Sequence, residues 1–110
     1  CKRFERDLQN VDNVTIHMFL YPILSRDSVE KSRNIWCAKD QNQAWHDYML
    51  KDKAPAAASC DIDAIQRNLA LGRKHKITGT PTLIFADNTR VPGAIPAAEV
   101  EKYLAAAHKQ

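Results

Sequence analysis

The sequence predicts a single α/β domain, and three observations carry that prediction. Two short runs rich in β-branched and aromatic residues, "NVTIHMFL" at Asn13 to Leu20 and "TLIFA" at Thr82 to Ala86, read as strands. Around them lie stretches whose apolar residues recur at three- and four-residue steps, the spacing of a helix face. A length of 110 residues with 45% hydrophobic and 7% aromatic content suits one packed core and leaves no room for a second domain.

Phe4, Leu8 and Val11 place a helix over Cys1 to about Asn10, already under way at the first residue. The strand at Asn13 to Leu20 follows and is stopped just beyond by Pro22. A helical region begins at about Ser25. Val29, Ile35 and Trp36 in Ser28 to Ala38, then Trp45, Tyr48 and Met49 in Gln41 to Leu50, predict two helices or one broken helix. "KDKAPAAAS", Lys51 to Ser59, is a surface loop within the domain.

Asp61 or Asp63 is placed to cap the next helix, with Ile65, Leu69 and Gly72 on one face. Arg73, Lys74 and His75 in its last turn complement the helix dipole. Thr82 to Ala86, a tight turn at Asp87-Asn88 and Thr89 to Val91 then form a hairpin, stopped by Pro92-Gly93. Pro96 suits the first turn of a closing helix with Val100, Tyr103 and Leu104 inward and His108 and Lys109 at its end.

Composition narrows the function classes. The 16 basic and 13 acidic side chains, a formal net charge of +3, are scattered without a long block of one sign, which gives little support to nucleic-acid binding. No apolar run approaches the roughly 20 residues that cross a bilayer. The amino terminus lacks the layout of a signal peptide, so the domain itself is expected to be soluble. The chain opens on Cys1 rather than Met, as expected of a processed chain or part of something longer. Zinc would need four ligands from Cys37, Cys60, His17, His46, His75 and His108, yet no Cys-x-x-Cys or His-x3-5-His pairing is present, and no metal is expected.

Four stretches become specific when taken in order: "IWCAKD" at Ile35 to Asp40, "SCD" at Ser59 to Asp61, "TGTP" at Thr78 to Pro81 and "VPG" at Val91 to Gly93. Together they resemble the catalytic domain of the bacterial periplasmic disulfide isomerases of the DsbC/DsbG family, over essentially the whole chain. The resemblance implies a thioredoxin-like fold over residues 1–110, with a helical insert at about residues 25–60 and the first strand missing from the chain shown. Two departures are Lys76, where the family often has Gly at a helix end, and Asn88, where its hairpin often has Gly.

The resemblance also assigns roles. It makes Cys1 the second, resolving cysteine of a Cys-x-x-Cys motif whose nucleophilic cysteine lies just before this chain. At a helix start that spacing sets two sulfurs about one turn apart on one face. The leading thiol faces unpaired backbone N–H groups that favour thiolate. A mixed disulfide then leaves by attack of a substrate thiol, which isomerises, or by attack of the second cysteine, which reduces. Cys37 and Cys60, 23 positions apart, correspond to a structural disulfide in the family; the plain alternative is two free thiols.

A proline has no N–H for a central ladder, so Pro81 belongs at the entry of its strand. The resemblance makes Thr80-Pro81 cis and turns Gly79, Thr80 and Pro81 into the loop that holds an extended substrate segment. It implies a periplasmic enzyme acting on misbridged exported proteins, with no metal or organic cofactor. It further implies a membrane reductase of the DsbD type as partner, and homodimerisation only through an amino-terminal domain absent here. Three rivals remain at this point. They are a non-catalytic, chaperone-like thioredoxin fold, a lipid-anchored domain with Cys1 as its acylated residue, and an oxidase of the DsbA type. Trp36, Trp45 and Tyr48 read as core of the insert, and "RKHK" at Arg73 to Lys76 as a solvated helix end.

Overall fold

The structure, a computed structural model, describes residues 1–108. Lys109, expected at the end of the closing helix, lies outside the described residues. The elements in chain order are α1 (Lys2–Leu8), α2 (Arg26–Trp36), α3 (Gln41–Lys51), α4 (Asp63–Lys74), β1 (Thr82–Ile84), β2 (Arg90–Pro92) and α5 (Ala97–His108). They form two compact units. One joins Cys1–Ile16 to the chain from Gly79 onward, and the other is His17–Thr78.

In the first unit, Phe4, Val11, Phe85 and Val100 are buried together, with Leu8, Leu83, Val91, Ile95 and Leu104 packed against them. The helical spacing of Phe4, Leu8 and Val11 thus marks a real inward face. The regular helix, however, begins at Lys2, with Cys1 as its N-cap, and ends at Leu8. Val11 is carried onto the core by a further turn in which its N–H donates to Leu8 O at 3.0 Å. Burying each such large apolar side chain contributes about 1.5–3 kcal/mol. Tyr103, expected inward, stacks on Phe85 with ring centroids 5.0 Å apart while staying 36% exposed.

β1 and β2 pair antiparallel with Thr82 opposite Pro92, Leu83 opposite Val91 and Ile84 opposite Arg90. The Phe85 N–H donates to Thr89 O, and the Gly93 N–H donates to Pro81 O. Hydrogen-bonded and non-bonded pairs alternate in such a ladder, so Pro92 falls at a position that asks for no N–H. The turn is one residue wider than the Asp87-Asn88 turn the sequence suggests. Asn88 N–H donates to Phe85 O, which centres the turn on Ala86 and Asp87. Asn88 follows at φ 70°, in the left-handed region that asparagine tolerates.

The strand expected at Asn13 to Leu20 is absent. No backbone–backbone hydrogen bond engages residues 13–20 among the described residues, and Asn13 opens the segment in left-handed backbone at φ 53°. A strand exists only against a neighbour, and β-propensity alone does not supply one. Ile16 and Phe19 are accordingly 56% and 67% exposed.

In the second unit the insert resolves into two helices, each with a side-chain cap. Ser25 Oγ accepts from Ser28 N–H at 3.2 Å, and Asp40 Oδ1 accepts from Gln43 N–H at 3.0 Å. Leu20, Ile35 and Ile65 form its core, with Trp36, Trp45, Tyr48 and Leu69 against them. Ile62 occupies the N-cap position of α4, and Asp61 Oδ1 accepts from Asp63 N–H at 2.9 Å. Asp61, of the two candidates, is therefore the residue whose carboxylate serves this helix start.

The far end of α4 closes in a Schellman motif. Ile77 N–H donates to Gly72 O and Lys76 N–H to Arg73 O, with Lys76 left-handed at φ 57°. Gly72 is buried beneath the ring of Tyr21, where a Cβ would meet the ring's Cε1, Cζ and hydroxyl. That hydroxyl donates to Ile77 O at 2.7 Å, and Asn68 Nδ2 donates to Leu20 O at 2.9 Å. The two bonds fasten the chain around Leu20–Tyr21 to α4.

Candidate active site

Cys1 is an exposed, unbridged cysteine. As the N-cap of α1 it offers no side-chain capping bond, and its carbonyl accepts from Glu5 N–H at 2.9 Å. The loop Gly79–Pro81 belongs to the same compact unit as Cys1.

The Thr80-Pro81 peptide is cis. On one side of Thr80, Gly79 O accepts from the Thr82 hydroxyl at 2.7 Å. On the other, Pro81 O accepts from Gly93 N–H at 2.8 Å. Gly93 reaches it with φ at +110°, a backbone conformation open to glycine and closed to most side chains. Within the loop, Thr80 is left as the residue with both its N–H and its C=O unpaired among the described residues.

Cys37 and Cys60 are joined by a disulfide with their Cα atoms 5.6 Å apart, wholly within the other unit. Cys37 ends α2 as its C-cap. Beside the bridge, two neighbouring side chains of α2 hold the approaching loop. Asn34 Oδ1 accepts from Ala58 N–H at 3.1 Å, and Arg33 Nε donates to Ala58 O at 3.1 Å. Arg33 Nη2 also donates to Asn34 Oδ1 at 3.3 Å, so the oxygen of this buried amide accepts two bonds.

Thr82, Arg33 and Asn34 are contributors that the sequence reading did not mark, and Gly93 stood there as part of "VPG" without a role in the loop. A hydroxyl residue directly after a proline is a recognisable turn signal, and a glycine after proline marks left-handed backbone. Asn34, by contrast, gives no local cue, because its partner lies 24 residues away.

At the hairpin turn, Asp87 Oδ1 accepts from Thr89 N–H at 3.0 Å, which holds the carboxyl below its ordinary value. Among the described residues no group of three or more His, Cys, Asp or Glu side chains is arranged to hold a metal ion. Among the described residues no helix is long and apolar enough to cross a membrane.

Comparison with known proteins agrees with this geometry. The thioredoxin-like domain family matches residues 1–108. The chain is 45% identical over 104 residues to the probable thiol:disulfide interchange protein DsbC of Bordetella parapertussis, covering 94% of this chain and 37% of that protein. It is 37% identical over 97 residues to the thiol:disulfide interchange protein DsbC of Escherichia coli, covering 86% of this chain and 40% of the relative. The chain thus spans about two fifths of the length of these relatives. The crystal structure of a disulfide interchange protein from Neisseria gonorrhoeae superposes with a TM-score of 0.91 at 31% identity, over 100% of this chain and 80% of that one. With four helices, the Gly79–Pro81 loop, the hairpin and a closing helix in chain order, the chain belongs to the thioredoxin-like domain family.

Proposed function

We propose that this chain carries out thiol:disulfide interchange on disulfide-bonded segments of exported proteins in the periplasm. Cys1 serves as the resolving cysteine of a Cys-x-x-Cys pair whose nucleophile precedes it, and the Gly79–Pro81 loop holds the substrate. The observation that carries this reading is the exposed, unbridged Cys1 at the head of α1, in the same unit as a loop that leaves Thr80 N–H and C=O open. Its relatives above, all named thiol:disulfide or disulfide interchange proteins, point to the same chemistry.

The leading thiolate attacks one sulfur of a substrate disulfide, forms a mixed disulfide and releases the other substrate sulfur as thiolate. If Cys1, as thiolate, then attacks the leading sulfur, the enzyme pair leaves oxidised by two electrons and the substrate reduced by two. If a different substrate thiolate attacks instead, the enzyme pair returns reduced and the substrate leaves with a new bridge. Regeneration by a membrane reductase of the DsbD type, and dimerisation through a further domain, complete the proposal. The Cys37–Cys60 bridge is a structural tie in this scheme and takes no part in exchange.

Replacing Cys1 by Ser in the full-length protein removes the resolving step. The expected result is a trapped, reductant-sensitive adduct with substrate that wild type does not accumulate. Equal reduction of substrate by C1S and wild type overturns the assignment. Thr80→Val is expected to alter turnover and substrate choice without unfolding the protein, and unchanged kinetics would count against the loop.

A further inference from the structure

Thr82 stands next to the loop just described, and its hydroxyl bonds to Gly79 O at 2.7 Å. The Gly79 C=O and the Thr80 N–H belong to one planar peptide unit and point in opposite directions. Whatever fixes the first therefore aims the second. The space where a Gly79 side chain would sit is open for 4 Å, so no side chain of its own steadies that unit. On the far side, the bond from Gly93 N–H occupies Pro81 O, and a proline offers no N–H of its own.

From this arrangement we propose that Thr82 is a positioning residue for substrate. Its hydroxyl masks the Gly79 acceptor and aims the Thr80 N–H outward, so that an extended polypeptide finds one two-sided backbone contact in the loop. That contact sets the register in which the substrate disulfide is offered. The proposal rests on the interchange reading for its substrate class, an extended segment carrying a disulfide, while the geometric role of Thr82 stands apart from it. Pairing in one register is how strand-like peptide recognition gains selectivity from backbone bonds that carry no sequence information themselves.

The test compares wild type, Thr82→Val and Thr82→Ser as full-length proteins. Valine keeps the shape and removes the donor, and serine restores the donor. With a disulfide-bonded peptide substrate, T82V is expected to raise KM about three- to tenfold, the range of one hydrogen bond, with kcat within about twofold of wild type; T82S returns KM close to wild type. In parallel, a cysteine-free extended peptide is titrated by amide NMR. The Thr80 amide is expected to shift on binding in wild type and T82S, at lower affinity in T82V. Equal KM and equal peptide affinity in all three proteins, or a serine variant no better than valine, overturns the proposal. A wild type that binds the peptide through Thr80 but exchanges no disulfide sinks the interchange reading and leaves Thr82 in its role. Turnover that is indifferent to Thr82 does the reverse.

Discussion

Replacing both Cys37 and Cys60 by Ser isolates what the bridge contributes. The bridge closes a separation of 23 residues. In the loop-entropy treatment, a closed loop of that size removes about 11 cal/mol/K from the unfolded ensemble, or about 3.4 kcal/mol at 25 °C. Serine is well tolerated at both ends, since Cys60 is exposed and Cys37 half-buried. The hydrogen bonds of Arg33 and Asn34 to Ala58 remain to hold the loop in the folded state. The loss is therefore expected to fall mainly on the unfolded side, leaving the native spectrum intact. With a urea dependence of about 2 kcal/mol/M, the unfolding midpoint drops by roughly 1.7 M. Equilibrium urea unfolding, followed by tryptophan fluorescence because Trp36 and Trp45 lie in the same unit as the bridge, reads the shift. Interchange activity below the new midpoint is expected to match wild type. A midpoint unchanged within error would refute the entropic reasoning, and a folded double variant without activity would move the bridge from architecture to chemistry.

Three further outcomes follow from local geometry. Gly72→Ala gains about 1 kcal/mol of helix propensity but meets the Tyr21 ring, an overpacking cost of about 1–3 kcal/mol. A net loss is therefore expected in wild type and a net gain in a Tyr21→Ala background, measured by a double-mutant cycle. Lys76→Gly relieves the left-handed residue at φ 57° that closes α4 and is expected to stabilise by about 1 kcal/mol; a loss of stability would count against the Schellman assignment. Asp87 is held below 3.8 by the Thr89 backbone N–H. Its stabilising contribution is thus complete above the unfolded value and is lost as pH falls through the lowered folded one. An NMR titration that places its carboxyl at or above 3.8 would remove the turn bond.

Much of the fold was legible because it is written in local terms. The hairpin lies between Pro81 and Gly93, the insert shows its helical steps from Val29 to Met49, and Cys37 and Cys60 come with family motifs. Where the reading failed, the missing information was non-local. Asn13 to Leu20 has the composition of a strand, yet pairing is decided by a partner that composition does not name. The hairpin loop is one residue wider because a turn centred on Ala86-Asp87 is followed by Asn88 in left-handed backbone, and only then does Phe85 pair with Thr89. In the candidate site, Pro81 and Thr80 were visible as a motif. The groups that orient them, the Thr82 hydroxyl and the Gly93 N–H, emerge only once the register of the ladder is known.

The grip of Arg33 and Asn34 on Ala58 bears on how this chain tolerates change. Two side chains on a rigid helix imitate a neighbouring strand, offering one acceptor and one donor to a single residue of an otherwise plain segment. The anchor is thus a backbone unit, indifferent to which side chain stands at position 58. Between the end of α3 and that anchor, "KAPAA" is tied by a backbone bond among the described residues only at Lys53, whose N–H donates to Asp47 O. Asn34 is the more demanding position: its Oδ1 accepts from both the Ala58 N–H and Arg33 Nη2, and an alanine there would leave those two donors without their acceptor and the loop held by Arg33 Nε alone beside the disulfide.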